Sequence, residues 1–149
     1  MAVKPVPDGY HSVTPYLVVQ GAAELIDFMK QAFEATEGER MTHPDGTIMH
    51  AEVRIGDSVV MLGEAMGEHL PRPGTIFLYV NNADATYQRA LQAGATSTEE
   101  LVDQFWGDRM GGVKDPAGNQ WWIATHQEDL SPEEIAKRAE AFMKQHSEH

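Results

Sequence analysis

Two stretches of this chain share one outline. From Phe105 to His126 the sequence reads FWGDRMGGVKDPAGNQWWIATH, two strand-like runs joined by Asp115-Pro116-Ala117-Gly118. Asp first, Pro second and Gly fourth is the preference of a type I turn, because Pro presets φ and Asp bonds back to the backbone. Trp121 to Thr125 is rich in aromatic and β-branched residues and predicts a strand. Earlier, His50 to Ile55, then Gly56-Asp57, then Ser58 to Leu62 is again strand, tight turn, strand. A recurring unit implies a recurring architecture, which limits the possible folds severely.

The elements around these hairpins recur in the same order. Ser12 to Val19 predicts a strand, with Pro15 at an edge or a strand end because it lacks a ladder donor. Gly21 to Phe33 predicts a helix from the spacing of Ala22, Leu25, Ile26, Met29, Ala32 and Phe33. Glu34 to Thr42 predicts a strand, followed by the turn His43-Pro44-Asp45-Gly46. Gly67 to Gly74, with two prolines, reads as a connector. Thr75 to Val80 then predicts a strand, and Asp84 caps a helix that runs to Ala93 and stops at Gly94. Thr96 to Asp103 reads as a weak strand or loop. Leu17 and Leu78, Val19 and Val80, Ala22 and Ala83, and Met61 and Trp122 each stand 61 positions apart.

The expected fold class is therefore α+β, one domain over residues 1–149 built from two βαβββ modules. The first spans about 10–66 and the second about 74–128. A C-terminal helix over about 131–145 follows, opened by the capping box Ser131-Pro132-Glu133-Glu134. Its stripe of Ile135, Ala139, Phe142 and Met143 must cover either the domain's own sheet or a partner subunit.

Bulk properties remove several functional classes. A net charge of −12 argues against nucleic acid as a partner. The absence of cysteine removes disulfides, a thiolate nucleophile and Cys-ligated zinc. No apolar run is long enough to span a bilayer, and the N-terminus lacks a signal-peptide pattern, so no membrane partner and a cytoplasmic location are expected. No Ser-His-Asp elbow, phosphate-cradling glycine loop or dinucleotide fingerprint occurs.

With Gly56-Asp57 as a two-residue turn, Ile55 opposes Ser58, Arg54 opposes Val59, Glu52 opposes Met61 and His50 opposes Gly63. Ala51, Val53, Ile55, Val60 and Leu62 then share one apolar face, which packs against the helices. The other face carries His50, Glu52 and Arg54. By the repeat and by alternation, Thr14, Tyr16, Thr75 and Phe77 join that face, as do Tyr79, Trp122, Ala124 and His126. Aromatics, histidines, a carboxylate and a guanidinium on one concavity are the usual composition of a small-molecule site.

Alternatives remain at each position. His50, Glu52 and Arg54 contact a ligand, or form a metal site completed by His126, or make a Glu52–Arg54 ion pair with His50 hydrogen-bonded nearby. His50 and Glu52 are the candidates for catalysis, Glu52 as a general base. Trp106 and Trp122 are candidate stacking walls, whereas Trp121 faces the helices as core. Arg109 forms an anion-binding lip or pairs with Asp108. His11, His43, His69, His146 and His149 fall in loops or tails.

TPYLVV before the first helix, HAEVRIGDSVVMLGEA, and FWGDRMGGVKDPAGNQWWIATHQED resemble the vicinal oxygen chelate superfamily (glyoxalase/bleomycin resistance/dioxygenase), its PhnB-like branch in particular. The resemblance covers about Tyr10 to Asp129. It implies a U-shaped cup of antiparallel strands with helices outside, commonly a homodimer. It also implies metal-dependent lyase, isomerase or dioxygenase activity, or metal-free sequestration of small molecules such as antibiotics. Metal-dependent members carry ligands at positions that match Thr14, Met61, Thr75 and Trp122, and none of these four suits a divalent cation. The expectation is a small organic ligand held without metal or other cofactor. His50, Glu52, Arg54, Tyr79, Trp106, Arg109, Trp122 and His126 are the contacts.

Overall fold

A computed structural model describes residues 3–68 and 70–146; His69 and His149 lie outside them. In the first half, β1 (Tyr16–Val19), α1 (Ala22–Phe33), β2 (Thr36–Thr42), β3 (Ile48–Ile55) and β4 (Ser58–Glu64) follow one another. The second half repeats the order as β5 (Thr75–Tyr79), α2 (Ala83–Gln92), β6 (Thr96–Asp103), β7 (Asp108–Lys114) and β8 (Gln120–His126), and α3 (Pro132–His146) follows. Each half makes a four-stranded sheet, in the orders β1-β4-β3-β2 and β5-β8-β7-β6. Neighbours run antiparallel except β1 beside β4 and β5 beside β8, which are parallel. The helical crossover between first and last strand permits that parallel pairing.

The repeat survives as register. Tyr16 pairs with Met61 and Phe77 with Trp122, each partner displaced by 61 positions (77 − 16 and 122 − 61). Ile55 opposes Ser58 and Glu52 opposes Met61, as the two-residue turn requires. The second hairpin is longer by one residue. Gly112 opposes Trp122, so the third strand is displaced by 60 (112 − 52). The difference sits in the turn: Pro116-Ala117-Gly118 spans Asp115 and Asn119, where Gly56-Asp57 sufficed before. Gly118 takes a positive φ of 95°, a conformation glycine adopts without steric cost.

Burial follows the alternation. Ala51, Val53, Ile55, Val60 and Leu62 are all buried against the helices. The series would continue at Met49, yet Ile48 is buried and Met49 is 47% exposed. Met41 pairs with His50 and Thr42 with Ile48, so β3 carries Met49 as an extra, bulged residue and its pleat changes phase. A second irregular pairing occurs between β6 and β7. Helices α1 and α2 pack on each other, and Phe33 meets Trp121 with ring centroids 4.6 Å apart. Both halves thus contribute to one buried cluster. Leu25, Ile26 and Met29 are fully buried in it, each worth about 1.5–3 kcal/mol of transfer free energy.

Several boundaries differ from expectation. Strand β1 begins only after Pro15, whose carbonyl accepts from Met61 while its ring nitrogen has nothing to donate. The N-cap of α2 is Asn82, whose side-chain oxygen accepts from the N–H of Ala85 at 3.1 Å. Asp84 sits inside the first turn, free to bind Arg109. Residues Thr96–Asp103 form a full strand. Ser131 caps α3 by accepting from the N–H of Glu134 at 3.1 Å, but the Glu134 carboxylate turns forward to Arg138 instead of back to the cap. The stripe on α3 stays largely open. Phe142 meets Phe105 at 5.2 Å, while Met143 is 62% exposed.

Candidate functional site

On the first sheet, His50, Glu52 and Arg54 alternate with the buried residues of β3 and so point away from the helices. His50 Nε2 lies 3.6 Å from Glu52 Oε1, and His50 Nδ1 lies 3.4 Å from the Tyr16 hydroxyl. The phenol of Tyr10 donates to Glu52. That bond, with burial second, holds the Tyr10 proton and raises its pKa above 10.0. Arg54 donates to the Gly9 carbonyl at 3.2 Å. The alternative of a Glu52–Arg54 ion pair is not formed; both side chains take contacts from the segment before β1 instead.

The second sheet carries a tighter cluster. Asp108 opposes His126 across β7 and β8, and its carboxylate is almost wholly buried. Tyr79 and Trp106 donate to Oδ2, each at 2.9 Å, and His126 Nδ1 approaches Oδ1 at 2.8 Å. Burial alone would push the Asp108 carboxyl up. The hydrogen bonds from His126, Tyr79 and Trp106 more than offset it and hold the group below its ordinary 3.8. His126 is raised above 6.5, first by Asp108 and then by Asp129, whose Oδ1 lies 2.7 Å from Nε2. Tyr79 is raised as well, chiefly by its bond to Asp108. The result is an Asp108–His126 pair whose buried carboxylate also accepts from Tyr79 and Trp106, while the outer edge of the imidazole meets the exposed Asp129.

Arg109 stands apart from this cluster. As the neighbour of Asp108 on a strand it points to the opposite face. There it binds Asp84 at the start of α2 through Nε and Nη2, at 2.9 and 3.0 Å, and Asp103 at 3.2 Å. The Asp108–Arg109 pair does not form, because adjacent strand residues cannot share a face. Asp108 is the centre of this cluster, and a reading of Gly107 to Arg109 as a loop does not find it. Counting back in steps of two from the opposing strand would have placed it beside His126.

Trp121 is fully buried and donates from Nε1 to Asp115 at 2.8 Å, as core. Trp122 is half-buried on the other face, close beside Gly112; a Cβ there would come within 2.6 Å of the indole Cζ3. Tyr16, Phe77 and Tyr79 are 49%, 45% and 59% exposed on the same faces. Beside the first sheet lies a cavity of about 480 Å³ lined by Tyr16, Val18, Met49, Gly63 and Met66, with His43 and Glu64. A shallower hollow of about 450 Å³ adjoins Tyr79 and His126. Both fall in the size range of small-molecule sites.

The four positions that the family resemblance matches to metal ligands carry two hydroxyls, a thioether and an indole, in Thr14, Thr75, Met61 and Trp122. Those donors do not fit a divalent cation. The displaced set is not assembled either: His50 and Glu52 belong to the first sheet. His126 belongs to the second, with both ring nitrogens engaged by aspartates. Among the described residues no three His, Cys, Asp or Glu side chains are grouped to hold a metal ion.

Paired βαβββ modules, each turning a polar and aromatic face away from its helix, define a class of small cup-building proteins. Comparison with known proteins gives the family. The chain belongs to the Glyoxalase/Bleomycin resistance protein/Dioxygenase superfamily, whose model matches residues 9–123. An uncharacterized protein of Mycobacterium bovis is 41% identical over 135 residues, covering 83% of this chain and 89% of that one. Among solved structures, TioX from Micromonospora sp. ML1 superposes with a TM-score of 0.67 at 24% identity, over 78% of this chain and 98% of TioX. The PhnB protein from Bacillus cereus gives 0.60 at 14%, over 77% and 99%. At such identities the structural likeness concerns the fold. No described helix is long and apolar enough to cross a membrane.

Proposed function

We propose that the protein binds a small organic molecule on the helix-free faces of its sheets, without the metal ligands usual in its superfamily, in a sequestering or resistance role. The observation that carries this reading is the pairing of uncovered aromatic area at Tyr16, Phe77 and Tyr79 with polar anchors at His50, Glu52 and His126. Apolar walls supply affinity and a few fixed polar groups supply orientation. Tyr79, Trp106 and Trp122 serve as walls, and Arg54 as a further anchor. Arg109, on the opposite face, serves the scaffold instead. Exposed aromatics on both sheets also favour a homodimer in which a second copy completes the cup.

Native mass spectrometry of the purified protein, with elemental analysis, tests this. The expected result is a dimer carrying an organic ligand and no stoichiometric metal, with a thermal midpoint that added Zn²⁺, Ni²⁺ or Mn²⁺ leaves unchanged. A bound metal at unit stoichiometry would sink it. The 3.6 Å approach of His50 to Glu52 favours one rival, a lyase, isomerase or dioxygenase with a displaced metal on that pair. Under that rival, His50→Ala abolishes metal uptake.

A further inference from the structure

The segment before β1 is tied across the polar face of the first sheet. Arg54 donates to the Gly9 carbonyl, the Tyr10 phenol donates to Glu52, and His11 Nε2 lies 3.1 Å from the carbonyl of Asp57 in the β3–β4 turn. A turn closed by the Tyr10 N–H on the Pro7 carbonyl at 3.1 Å, with Gly9 at a φ of 84°, aims the ring at the sheet. The ring closes a hollow of about 100 Å³ whose walls include Thr36, Gly38, Val59 and the stem of Arg54. Over residues 3–13 Tyr10 and no other side chain before Thr14 is partly covered; the rest are exposed. A strap held by one ring and a few polar bonds opens at low free-energy cost.

We propose that this hollow recognises phenols, and that Tyr10 stands where the ring and hydroxyl of a phenolic ligand sit, so that such a ligand binds by displacing the strap. This rests on the reading of the cup as a small-molecule site and names the ligand class of its first half. A neutral phenol has one O–H to give, and Glu52 is an acceptor on the same strand face as His50, 3.6 Å away. Hydrogen bonds to a carboxylate are stronger than neutral ones, so the deoxy analogue is penalised. Val59, which is buried, and the side-chain-free Gly38 are among the walls of the hollow.

The test uses p-cresol, the tyrosine side chain cut at Cβ, with toluene as its counterpart lacking the hydroxyl. Both are titrated by NMR into the full-length wild type and Tyr10→Ala. Tyr10 is followed with 3-fluorotyrosine, its resonance identified by its loss in Tyr10→Phe among the four tyrosines. In Tyr10→Ala, p-cresol should bind at least tenfold more tightly than in wild type and at least tenfold more tightly than toluene. In wild type, saturation should move the Tyr10 resonance to the position of free tyrosine. Adding Glu52→Leu, which removes the acceptor, to Tyr10→Ala should erase the preference over toluene. Equal binding of the two probes, or p-cresol saturating wild type with Tyr10 unmoved, overturns the proposal. The dye 8-anilinonaphthalene-1-sulfonate, titrated in parallel, separates the levels. Dye binding without p-cresol binding removes the phenol assignment alone, and failure of both removes the small-molecule reading too.

Discussion

Glu64 and Thr125 occupy one repeat position, 61 apart (125 − 64), and each caps the helix of its own module. Glu64 accepts through its two oxygens from the N–H groups of Gly21 and Ala22, at 2.9 and 3.0 Å. Thr125 Oγ1 accepts from the N–H of Ala83 at 2.8 Å and donates to the Val80 carbonyl at 2.8 Å. The last strand of each unit therefore satisfies amide groups that a helix start leaves unpaired. The carboxylate also meets the positive end of the α1 dipole.

Removing these caps should destabilise unequally. Glu64→Ala strips two acceptors and a charge and is expected to cost about 2–3 kcal/mol, while Thr125→Val costs about 1–2 kcal/mol. Urea unfolding of the two variants checks the order. A larger loss for Thr125→Val would contradict the geometry.

The second hairpin depends on one buried carboxylate. Asp115 accepts from the N–H groups of Ala117 and Asn119, from Asn119 Nδ2 and from Trp121 Nε1, at 2.8 to 3.0 Å. Asp115→Ala leaves these donors without their acceptor and is expected to cost about 3–5 kcal/mol. Chemical denaturation followed by tryptophan fluorescence measures it, and a loss under about 1 kcal/mol would show that water replaces the carboxylate.

The Asp108–His126 pair sets a pH window. His126 titrates above 6.5 in the folded protein, so its contribution is whole below 6.5 and is lost as pH rises through the folded value. Asp108 titrates below 3.8, so its contribution is whole above 3.8 and is lost as pH falls through the folded value. The gap in thermal midpoint between wild type and His126→Gln should be widest between roughly pH 4 and 6.5 and should narrow toward pH 9. A gap constant from pH 5 to 9 would mean the ring is neutral throughout.

Gly112 is where Trp122 can be moved deliberately. In Gly112→Ala the new methyl would lie within 2.6 Å of Thr98 Oγ1 as well as of the indole. Overpacking of this kind costs about 1–3 kcal/mol. The tilted indole should shift the tryptophan emission and weaken ligand binding. An unchanged spectrum would place the strain elsewhere in the sheet.

Much of the fold is readable because two periodicities reinforce each other. The apolar alternation of Ala51, Val53 and Ile55 marks a buried face, and the repeat transfers that face to Trp121 and Ile123. What escapes reading is contact between distant segments. Nothing near Tyr10 announces a partner 42 positions away, and nothing in Asn82 or Asp84 says which ends up at the cap, since both are short acceptors. Only the end of β5 decides that. Met49 escapes for another reason: a bulge changes phase without changing composition.

The outer rims of the two sheets, β2 and β6, share a consequence. Both pair irregularly with their inner neighbours, and both carry acidic side chains, Glu37 and Glu39 on one and Glu99 and Glu100 on the other. A kinked, negatively charged border makes a poor template for an incoming β-segment. Amyloid-like growth by strand stacking is thereby discouraged at these two rims.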